Sequence, residues 1–234
     1  MRDRTCYLNK SGLREFCSTY FPYFYPVKTI VLANGSFPRK QVLLDMLDTA
    51  DRIICCDAAV HSLLQYGLQP TIIIGDLDSI DTNLKERFAG RLLHIADQDT
   101  NDLTKAVNWC IEQGIGELSI LGATGKREDH TLGNIALLLQ YAEKIKVQLH
   151  TDYGRFIPVR DNEIELDCSP AQQLSVFSLN PDTKITSEGL KYPLQSMRLK
   201  SWWQGTLNEC TGNKVRLVFE GNPVQVLVYL VDEI

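Results

Sequence analysis

The sequence of 234 residues lacks several features that would each point to a particular class of protein. It contains no run of about 18 apolar residues, so we expect no membrane-spanning helix. Basic residues are not in excess, because 24 Lys and Arg stand against 29 Asp and Glu, and this balance argues against a general nucleic-acid or membrane-surface binder. The seven cysteines form no CxxC pair, which argues against a zinc site and favours reduced thiols in the cytoplasm.

Common phosphate-binding signatures and a signal peptide are missing as well. Residues 122–134, GATGKREDHTLGN, fit neither GxxxxGK[ST] nor GxGxxG. Residues 1–27 lack the continuous apolar centre and the small-residue cleavage site of a signal peptide. We interpret residues 1–27 as an N-terminal extension without a catalytic role.

Residues 28–152 alternate short β-branched runs with helical stretches, which predicts an α/β domain. The predicted helices are at 39–49, 58–66, 82–88, 102–113 and 130–143, and the predicted strands are at 29–33, 52–56, 71–74, 92–95, 117–121 and 146–150. Gly67 and Gly114 follow two of these helices, as C-terminal capping glycines do. Apolar strands in this alternation favour a parallel, Rossmann-like sheet with helices on both faces.

Residues 153–234 have a different character. Their strand-like runs at 173–179, 215–219 and 224–231 are separated by Asn, Asp, Gly and Pro. This pattern predicts an all-β antiparallel domain of the sandwich type. No flexible linker precedes it, so we expect the two domains to pack closely.

Four aspartates carry most of the functional information. Asp57 follows one predicted strand, Asp76 and Asp78 follow the next, and Asp102 begins a predicted helix. In a parallel sheet, ligands bind at the carboxyl ends of the strands. Carboxylates crowded there would raise each other's pKa values, and a bound hard cation relieves the repulsion. The sequence therefore predicts a magnesium-dependent site for phosphoryl transfer.

Each motif also has a simpler structural explanation. Asp57 is a common helix-capping residue, and Asp78 or Ser79 would cap the helix after the DxD turn. Lys105 would meet either a phosphate or Asp102 on the helix surface. Residues 122–127 and the Asn-Gly turn at 34–35 suit an anion next to backbone N–H groups, or are plain strand–helix turns.

Together these segments resemble the thiamine pyrophosphokinase family, over residues 29–231. The resemblance rests on CDAAVHSLLQYGLQPTIIIGDLDSI at 56–80, DQDTND at 97–102, GATGKREDHTLGNI at 122–135 and GTLNEC at 205–210. The order and spacing of the four segments are more specific than any one of them. The chain departs from the family at Ala58 and Ala59, where a glycine pair is usual, and at Asn101, where threonine is usual.

The resemblance implies transfer of the pyrophosphoryl group of ATP to the hydroxyl of thiamine, giving thiamine diphosphate and AMP. It implies Mg²⁺ ligands at Asp76, Asp78 and Asp102, with Asp57 close by, and it leaves open which of these four catalytic candidates accepts the hydroxyl proton. The residues that it implies for ATP binding are Asn34, Gly35, Asp57, Lys105, Gly122, Ala123, Thr124, Gly125, Lys126, Arg127 and Asp129.

Thiamine binding in this family uses the C-terminal domain of a second subunit, so the resemblance implies a homodimer. The implied thiamine-binding residues are Gln98, Asp99, Thr206, Asn208 and Trp202. Adjacent tryptophans on a strand face opposite sides, so only one of Trp202 and Trp203 is expected to stack on the cationic substrate. Core or dimer packing is the competing explanation for each tryptophan.

Three other functions remain open at this stage. A different kinase or nucleotidyl transferase would use the same aspartates and the same turns. A hydrolase would release phosphate or pyrophosphate from ATP without a second substrate. A non-catalytic thiamine- or nucleotide-binding module is the third, although loss of some carboxylates would be expected there and all four are present.

Overall fold

The computed structural model describes residues 29–232, and the extension at 1–27 therefore lies outside the described residues. Helices and strands alternate through the first half of this range. The helices are α1 Gln41–Asp48, α2 Ala59–Tyr66, α3 Thr82–Arg87, α4 Asp102–Glu112 and α5 Glu128–Tyr141. The strands are β1 Thr29–Leu32, β2 Arg52–Cys56, β3 Ile72–Gly75, β4 Leu92–His94, β5 Glu117–Leu121 and β6 Lys146–Thr151. None of the helices in residues 29–232 has the length and apolar character needed to span a membrane.

These six strands pair in parallel in the order β6-β5-β1-β2-β3-β4. Helices cover both faces, because the strands are apolar on both sides. Leu43, Leu47 and Leu63 of α1 and α2 pack on one face, while Val107 and Leu138 of α4 and α5 pack on the other. The strands after β1 are added on one side of it as far as β4, and β5 and β6 are added on its other side. A ligand crevice is expected between β1 and β5, where this order reverses.

The second half is antiparallel. Its strands are β7 Gly154–Val159, β8 Glu163–Asp167, β9 Gln173–Ser178, β10 Lys184–Glu188, β11 Met197–Arg198, β12 Asn208–Glu209, β13 Lys214–Glu220 and β14 Val226–Val231. They form two layers, β12-β9-β14-β7 and β11-β10-β13-β8. Alternate residues of the layers, such as Val176, Leu217 and Val228, fill an apolar core.

The two halves share one sheet. β7 pairs antiparallel with β6, so the parallel strands and one layer of the second half make a continuous ten-stranded sheet. The prediction of an α/β part followed by an antiparallel β part is confirmed. The prediction of a parallel, Rossmann-like sheet is wrong for the sheet as a whole, which is mixed because the antiparallel strands of the second half extend it. At the opposite edge, β4 lies outside β3. The boundary at residues 152–153 stays a prediction.

Predicted and observed elements agree closely in the first half. Gly67 and Gly114 have φ values of 103° and 72°, as expected of residues that end helices. The predicted helix at 130–143 begins two residues earlier, at Glu128. In the second half, β7, β8, β10, β11 and β12 were not predicted from the sequence.

Candidate active site

Two of the four aspartates meet beside Gly75 at the carboxyl end of β3. A Cβ atom added to Gly75 would lie 2.9 Å from Cβ of Asp57 and 3.3 Å from Cγ of Asp102. Only glycine leaves room for both side chains at this point. The sheet therefore brings together residues that are 45 positions apart in the sequence, as the strand-end prediction requires.

Asp57 is buried, and its Oδ1 has no hydrogen-bond partner. Its backbone N–H continues the sheet by donating to the carbonyl of Ile74 at 2.9 Å, and its φ is 41°. Aspartate and asparagine tolerate this left-handed conformation better than most residues. A buried carboxylate oxygen without a partner is costly, and a cation is the ligand that would satisfy it.

Asp102 is held by Lys105. The Nζ of Lys105 donates to Oδ1 of Asp102 at 3.1 Å, and the lysine side chain is only 4% exposed. Burial raises the pKa of Asp102, and the nearby carboxylates of Asp57 and Asp76 raise it further, while Lys105 opposes the rise. The charge crowding expected from the sequence is therefore present at Asp102. Lys105 pairs with Asp102, as the simpler of its two explanations required, but the lysine is buried and does not lie on the helix surface.

Asp76 and Asp78 occupy a tight turn rather than an extended segment. The backbone N–H of Asp78 donates to Oδ1 of Asp76 at 3.2 Å, and Leu77 between them has a φ of 60°. Across residues 29–232, no three Asp, Glu, His or Cys side chains converge closely enough to form a metal site as they stand. The set Asp76, Asp78 and Asp102 stays a prediction.

Two turns after β1 and β5 pack against each other across the crevice. The N–H groups of Gly35 and Ser36 donate to the carbonyls of Gly122 and Thr124 at 2.5 and 2.8 Å. A Cβ atom at Gly35 would overlap both carbonyl oxygens. The hydroxyl of Ser36 adds a bond to the carbonyl of Gly125 at 2.8 Å. Glycine is therefore needed at position 35 for the close approach of the two backbones.

The cations of the second turn have partners within the protein. Nζ of Lys126 donates to Oδ1 of Asn34 at 3.1 Å. Arg127 pairs with Asp129 at 2.5 Å, and this contact lowers the pKa of Asp129 to about 2. Asp129 therefore stays ionised beside Arg127. Both side chains are exposed at the start of α5, where the helix dipole adds positive potential.

A cleft of about 400 Å³ opens between these turns and the aspartates. Its lining residues are Ala33, Asn34, Gly35, Cys56, Asp57, Ser79, Asn101, Asp102, Leu103, Ala123, Thr124, Lys126, Arg127, His130, Thr131 and Asn134. Thr131 and Asn134 were not among the residues predicted for the site. They lie three positions apart on α5, a spacing that puts both on one helix face and would have indicated them.

Gln98 and Asp99 lie in an exposed loop before α4 and outside this lining. Asp97 organises the loop, because its carboxylate accepts from the N–H of Asp99 at 2.9 Å and from the hydroxyl of Thr100. These bonds lower the pKa of Asp97, that from Thr100 most. Asn101 then caps α4 by accepting from the N–H of Thr104 at 2.8 Å.

The tryptophan pair lies in a 3₁₀ helix, Trp202–Gly205, and not on a strand as expected. Trp202 is 48% exposed and packs edge-on against Phe177 at 6.1 Å, whereas Trp203 is 74% exposed. The hydroxyl of Thr206 donates to the carbonyl of Trp203 at 2.8 Å. Both indoles therefore leave much of their surface exposed in this chain.

Asn208 is buried and used within the chain. Its Nδ2 donates to the carbonyl of Tyr192 at 2.7 Å, and its Oδ1 accepts from the N–H groups of Tyr192 and Glu209 at 3.1 and 3.0 Å. This side chain joins β12 to the neighbouring loop, whose Tyr192 is exposed.

The aspartates of the first half and the thiamine-binding candidates of the second half lie far apart within one chain. β12, which carries Asn208, is seven strands away from β2, which precedes Asp57. At about 4.8 Å per strand, this separation is roughly 30 Å. A single small substrate does not reach from one group to the other.

The chain was compared with families of known proteins. Residues 43–149 match the model for "Thiamin pyrophosphokinase, catalytic domain", and residues 154–229 match that for "Thiamin pyrophosphokinase, substrate-binding domain". The thiamine pyrophosphokinase of Bacillus subtilis (strain 168) is 31% identical over 184 residues, which cover 74% of this chain and 85% of that protein. Thiamin pyrophosphokinase 1 of Caenorhabditis elegans is 27% identical over 179 residues, 70% and 73% of the two chains.

Solved structures show the same fold. The crystal structure of the thiamine pyrophosphokinase from Bacillus subtilis aligns with a TM-score of 0.71 at 24% identity, covering 88% of this chain and 99% of that one. A thiamin pyrophosphokinase family protein from Enterococcus faecalis aligns with a TM-score of 0.74 at 19% identity, covering 88% and 100%.

Proposed function

This chain belongs to the thiamine pyrophosphokinase family of enzymes, and on that premise we propose that it transfers the pyrophosphoryl group of ATP to the hydroxyl of thiamine with the help of Mg²⁺. The products are thiamine diphosphate and AMP. The observation that carries the proposal is the buried, unpartnered Oδ1 of Asp57 beside Asp102, at the edge of a cleft whose other wall is built from backbone turns.

The carboxylates suit a magnesium ion. Oxygen ligands are those that Mg²⁺ prefers, and the free oxygen of Asp57 and the raised pKa of Asp102 both mark places where positive charge would be stabilising. We assign Asp76, Asp78 and Asp102 as ligands, directly or through water, with Asp57 beside them. The bound ion would neutralise charge on the phosphates of the nucleotide.

The turns at 34–36 and 122–127 are proposed to hold ATP. Lys126 lies at the cleft, and α5 begins there with its positive end. The thiamine hydroxyl oxygen then attacks the β-phosphorus, the bond between that phosphorus and the oxygen bridging to the α-phosphorus breaks, and AMP leaves. The hydroxyl proton passes to one of the four aspartates. Alignment and charge are what the protein supplies in such a reaction.

We place thiamine between two subunits. The separation of roughly 30 Å between Asn208 and Asp57 in one chain supports a homodimer, because it leaves the two candidate groups unable to share a substrate. In this arrangement Trp202 and Thr206 of one subunit face Gln98 and Asp99 of the other. Asn208 holds the Tyr192 loop in place and contributes through that loop.

We also propose a cytoplasmic location. Five cysteines among residues 29–232 are buried and free: Cys55, Cys56, Cys110, Cys168 and Cys210. Free buried thiols are typical of proteins in a reducing compartment.

The reaction is tested by measuring AMP and thiamine diphosphate formed from ATP, Mg²⁺ and thiamine, with thiamine omitted as the control. Equal amounts of both products, formed only with thiamine, are expected. ADP in place of AMP would identify a monophosphoryl kinase, and phosphate or pyrophosphate release without thiamine would identify a hydrolase. Thiamine binding without turnover would identify a binding module.

The shared site is tested by mixing Asp57→Asn, which is expected to be inactive, with Trp202→Ala at a thiamine concentration far below KM, where a tenfold higher KM leaves about a tenth of the parent rate. In a mixed dimer one site carries both changes and the other carries neither. Random reassortment would therefore restore about a quarter of the parent activity if each site uses both subunits. Mixtures whose activity does not rise above that of the separate variants, although the subunits exchange, would place the whole site in one chain.

A further inference from the structure

The side-chain amide of Asn134 bridges the two walls of the cleft. Its Oδ1 accepts from Nδ2 of Asn101 at 3.2 Å, and its Nδ2 donates to the carbonyl of Ala123 at 2.8 Å. All three residues line the cleft. A single side chain on α5 thus connects the start of α4 with the turn after β5.

Both ends of this bridge adjoin groups of the proposed reaction. Asn101 caps α4 through its bond from the N–H of Thr104, and the next residue is Asp102. Ala123 lies in the turn at 122–127. In a trans peptide the carbonyl and the following N–H point in opposite directions, so the bond to Ala123 also fixes the direction of the Thr124 N–H.

We propose that Asn134 is a positioning residue that holds Asp102 and the turn at 122–127 at a fixed distance, through Asn101. This inference rests on the proposed function, because it assigns the aspartate and the turn to the same nucleotide. Loss of the bridge lets the two walls move independently. The N–H groups that would bind the phosphates and the carboxylates on the opposite wall are then no longer aligned on the same nucleotide.

The bridge is not what holds the two helices together. Leu138, Leu139 and Tyr141 anchor α5 in the core, and the hydroxyl of Tyr141 meets that of Thr104 on α4 at 2.7 Å. Asn134 lies near the middle of α5, one turn before Leu138, and is only partly buried. Removing its amide therefore changes the cleft more than the packing of the helices.

The test is a double-mutant cycle with Asn134→Ala, Asn101→Thr and the combined variant. Threonine keeps the cap of α4 but lacks the amide donor, so this variant breaks the bridge without touching α5. Gln140→Ala is the matched control, since Gln140 is an exposed amide on the same helix outside the cleft lining. The readouts are equilibrium binding of Mg²⁺·ATP without thiamine, kcat and KM for ATP, and Tm.

We expect each single change to weaken Mg²⁺·ATP binding and to raise KM for ATP by about three- to tenfold, the range of one side-chain hydrogen bond. The combined variant should be little weaker than Asn134→Ala alone, because both changes break the same bridge. Gln140→Ala should match the parent.

Additive effects in the cycle would overturn the inference, as would parent-like nucleotide binding in Asn134→Ala. A lower Tm with unchanged KM would show a merely structural role and would overturn it too. A parent protein that binds Mg²⁺·ATP but forms no thiamine-dependent AMP refutes the proposed reaction while the binding cycle still decides on the bridge. A parent that binds no nucleotide overturns both proposals.

Discussion

Replacing Asp57 by asparagine should make the metal-free protein more stable and the enzyme inactive. The carboxylate is buried, its Oδ1 has no partner, and it raises the pKa of Asp102 next to it. Asparagine keeps the shape, tolerates the φ of 41° and removes the charge. Carboxylates that are placed to bind a cation destabilise the metal-free protein, so neutralising one of them should raise stability while it removes activity.

The size of the effect follows from burial. An unsatisfied buried polar group costs about 1–3 kcal/mol, and more when it is charged. The neutral amide remains without a full set of partners, so we expect a gain of about 1 kcal/mol in the free energy of unfolding. For a chain of this length that corresponds to a rise of roughly 2–4 °C in Tm.

With Mg²⁺·ATP bound, the parent should be more stable than Asp57→Asn. Ligand at about 100 times its Kd stabilises a protein by about 2.7 kcal/mol, and the parent gains this while Asp57→Asn gains much less. Turnover should fall at least about 100-fold, since even outer-shell changes at metal sites cost 10- to 100-fold. Thermal unfolding with a chelator and with Mg²⁺·ATP, together with AMP formation, measures all three quantities.

Asp161→Asn is the control, because Asp161 is an exposed carboxylate in the loop between β7 and β8. It should leave both Tm values and turnover unchanged. An Asp57→Asn variant that is less stable than the parent in chelator and that still forms AMP at the parent rate would refute the reasoning.

Three further changes test other parts of the structure. Gly35→Ala would push a methyl group into the carbonyls of Gly122 and Thr124, so it should lower the free energy of unfolding by about 1–3 kcal/mol and raise KM for ATP. The control Gly90→Ala places its methyl group in open space and should do neither. Burial lowers the pKa of His150 to about 3 from an ordinary 6.5, so the neutral ring contributes full stability above pH 6.5, and this stability is lost as the pH falls towards 3. Tm measured from pH 7.5 to 5 should therefore fall less steeply in His150→Gln than in the parent, and equal slopes would contradict this. Trp202→Ala should raise KM for thiamine about tenfold with KM for ATP unchanged, and an equal loss for both substrates would argue against stacking on thiamine.

The first half of the fold was predictable because its signals are local. Strands β2 and β5 were predicted with their observed bounds, since short apolar runs lie between amphipathic helices, two of which are followed by glycine. The strand ends also located Asp57 and Asp102, because parallel strands bring successive carboxyl ends to one edge.

The second half was less predictable because its pairing is not local. β14 pairs with β7 and β9, which are separated from it by tens of residues, and these pairings build the second half of the ten-stranded sheet. β8 and β10 carry charged and hydroxyl side chains on their exposed face, so their composition alone indicates loops as readily as strands.

Within the site, the sequence indicated residue types but not their pairing. Lys105, Arg127 and Asp129 were all assigned to ATP by resemblance, yet Lys105 pairs with Asp102, and Arg127 pairs with Asp129. The charge that each of these cations offers to a phosphate is thus already shared. Lys126 is bonded to the neutral amide of Asn34, so it keeps its full positive charge at the cleft.

The tryptophan pair shows why the second substrate site was the hardest to derive. On a strand, Trp202 and Trp203 would face opposite sides, and one of them would be buried in the sandwich. The 3₁₀ helix instead leaves both indoles 48% and 74% exposed, although burial of such large rings is strongly favourable. In the homodimer proposed above, this exposed aromatic surface next to Thr206 would complete the cleft of the second subunit. If the thiamine site joins two subunits in this way, no pattern within one chain specifies which residues it brings together.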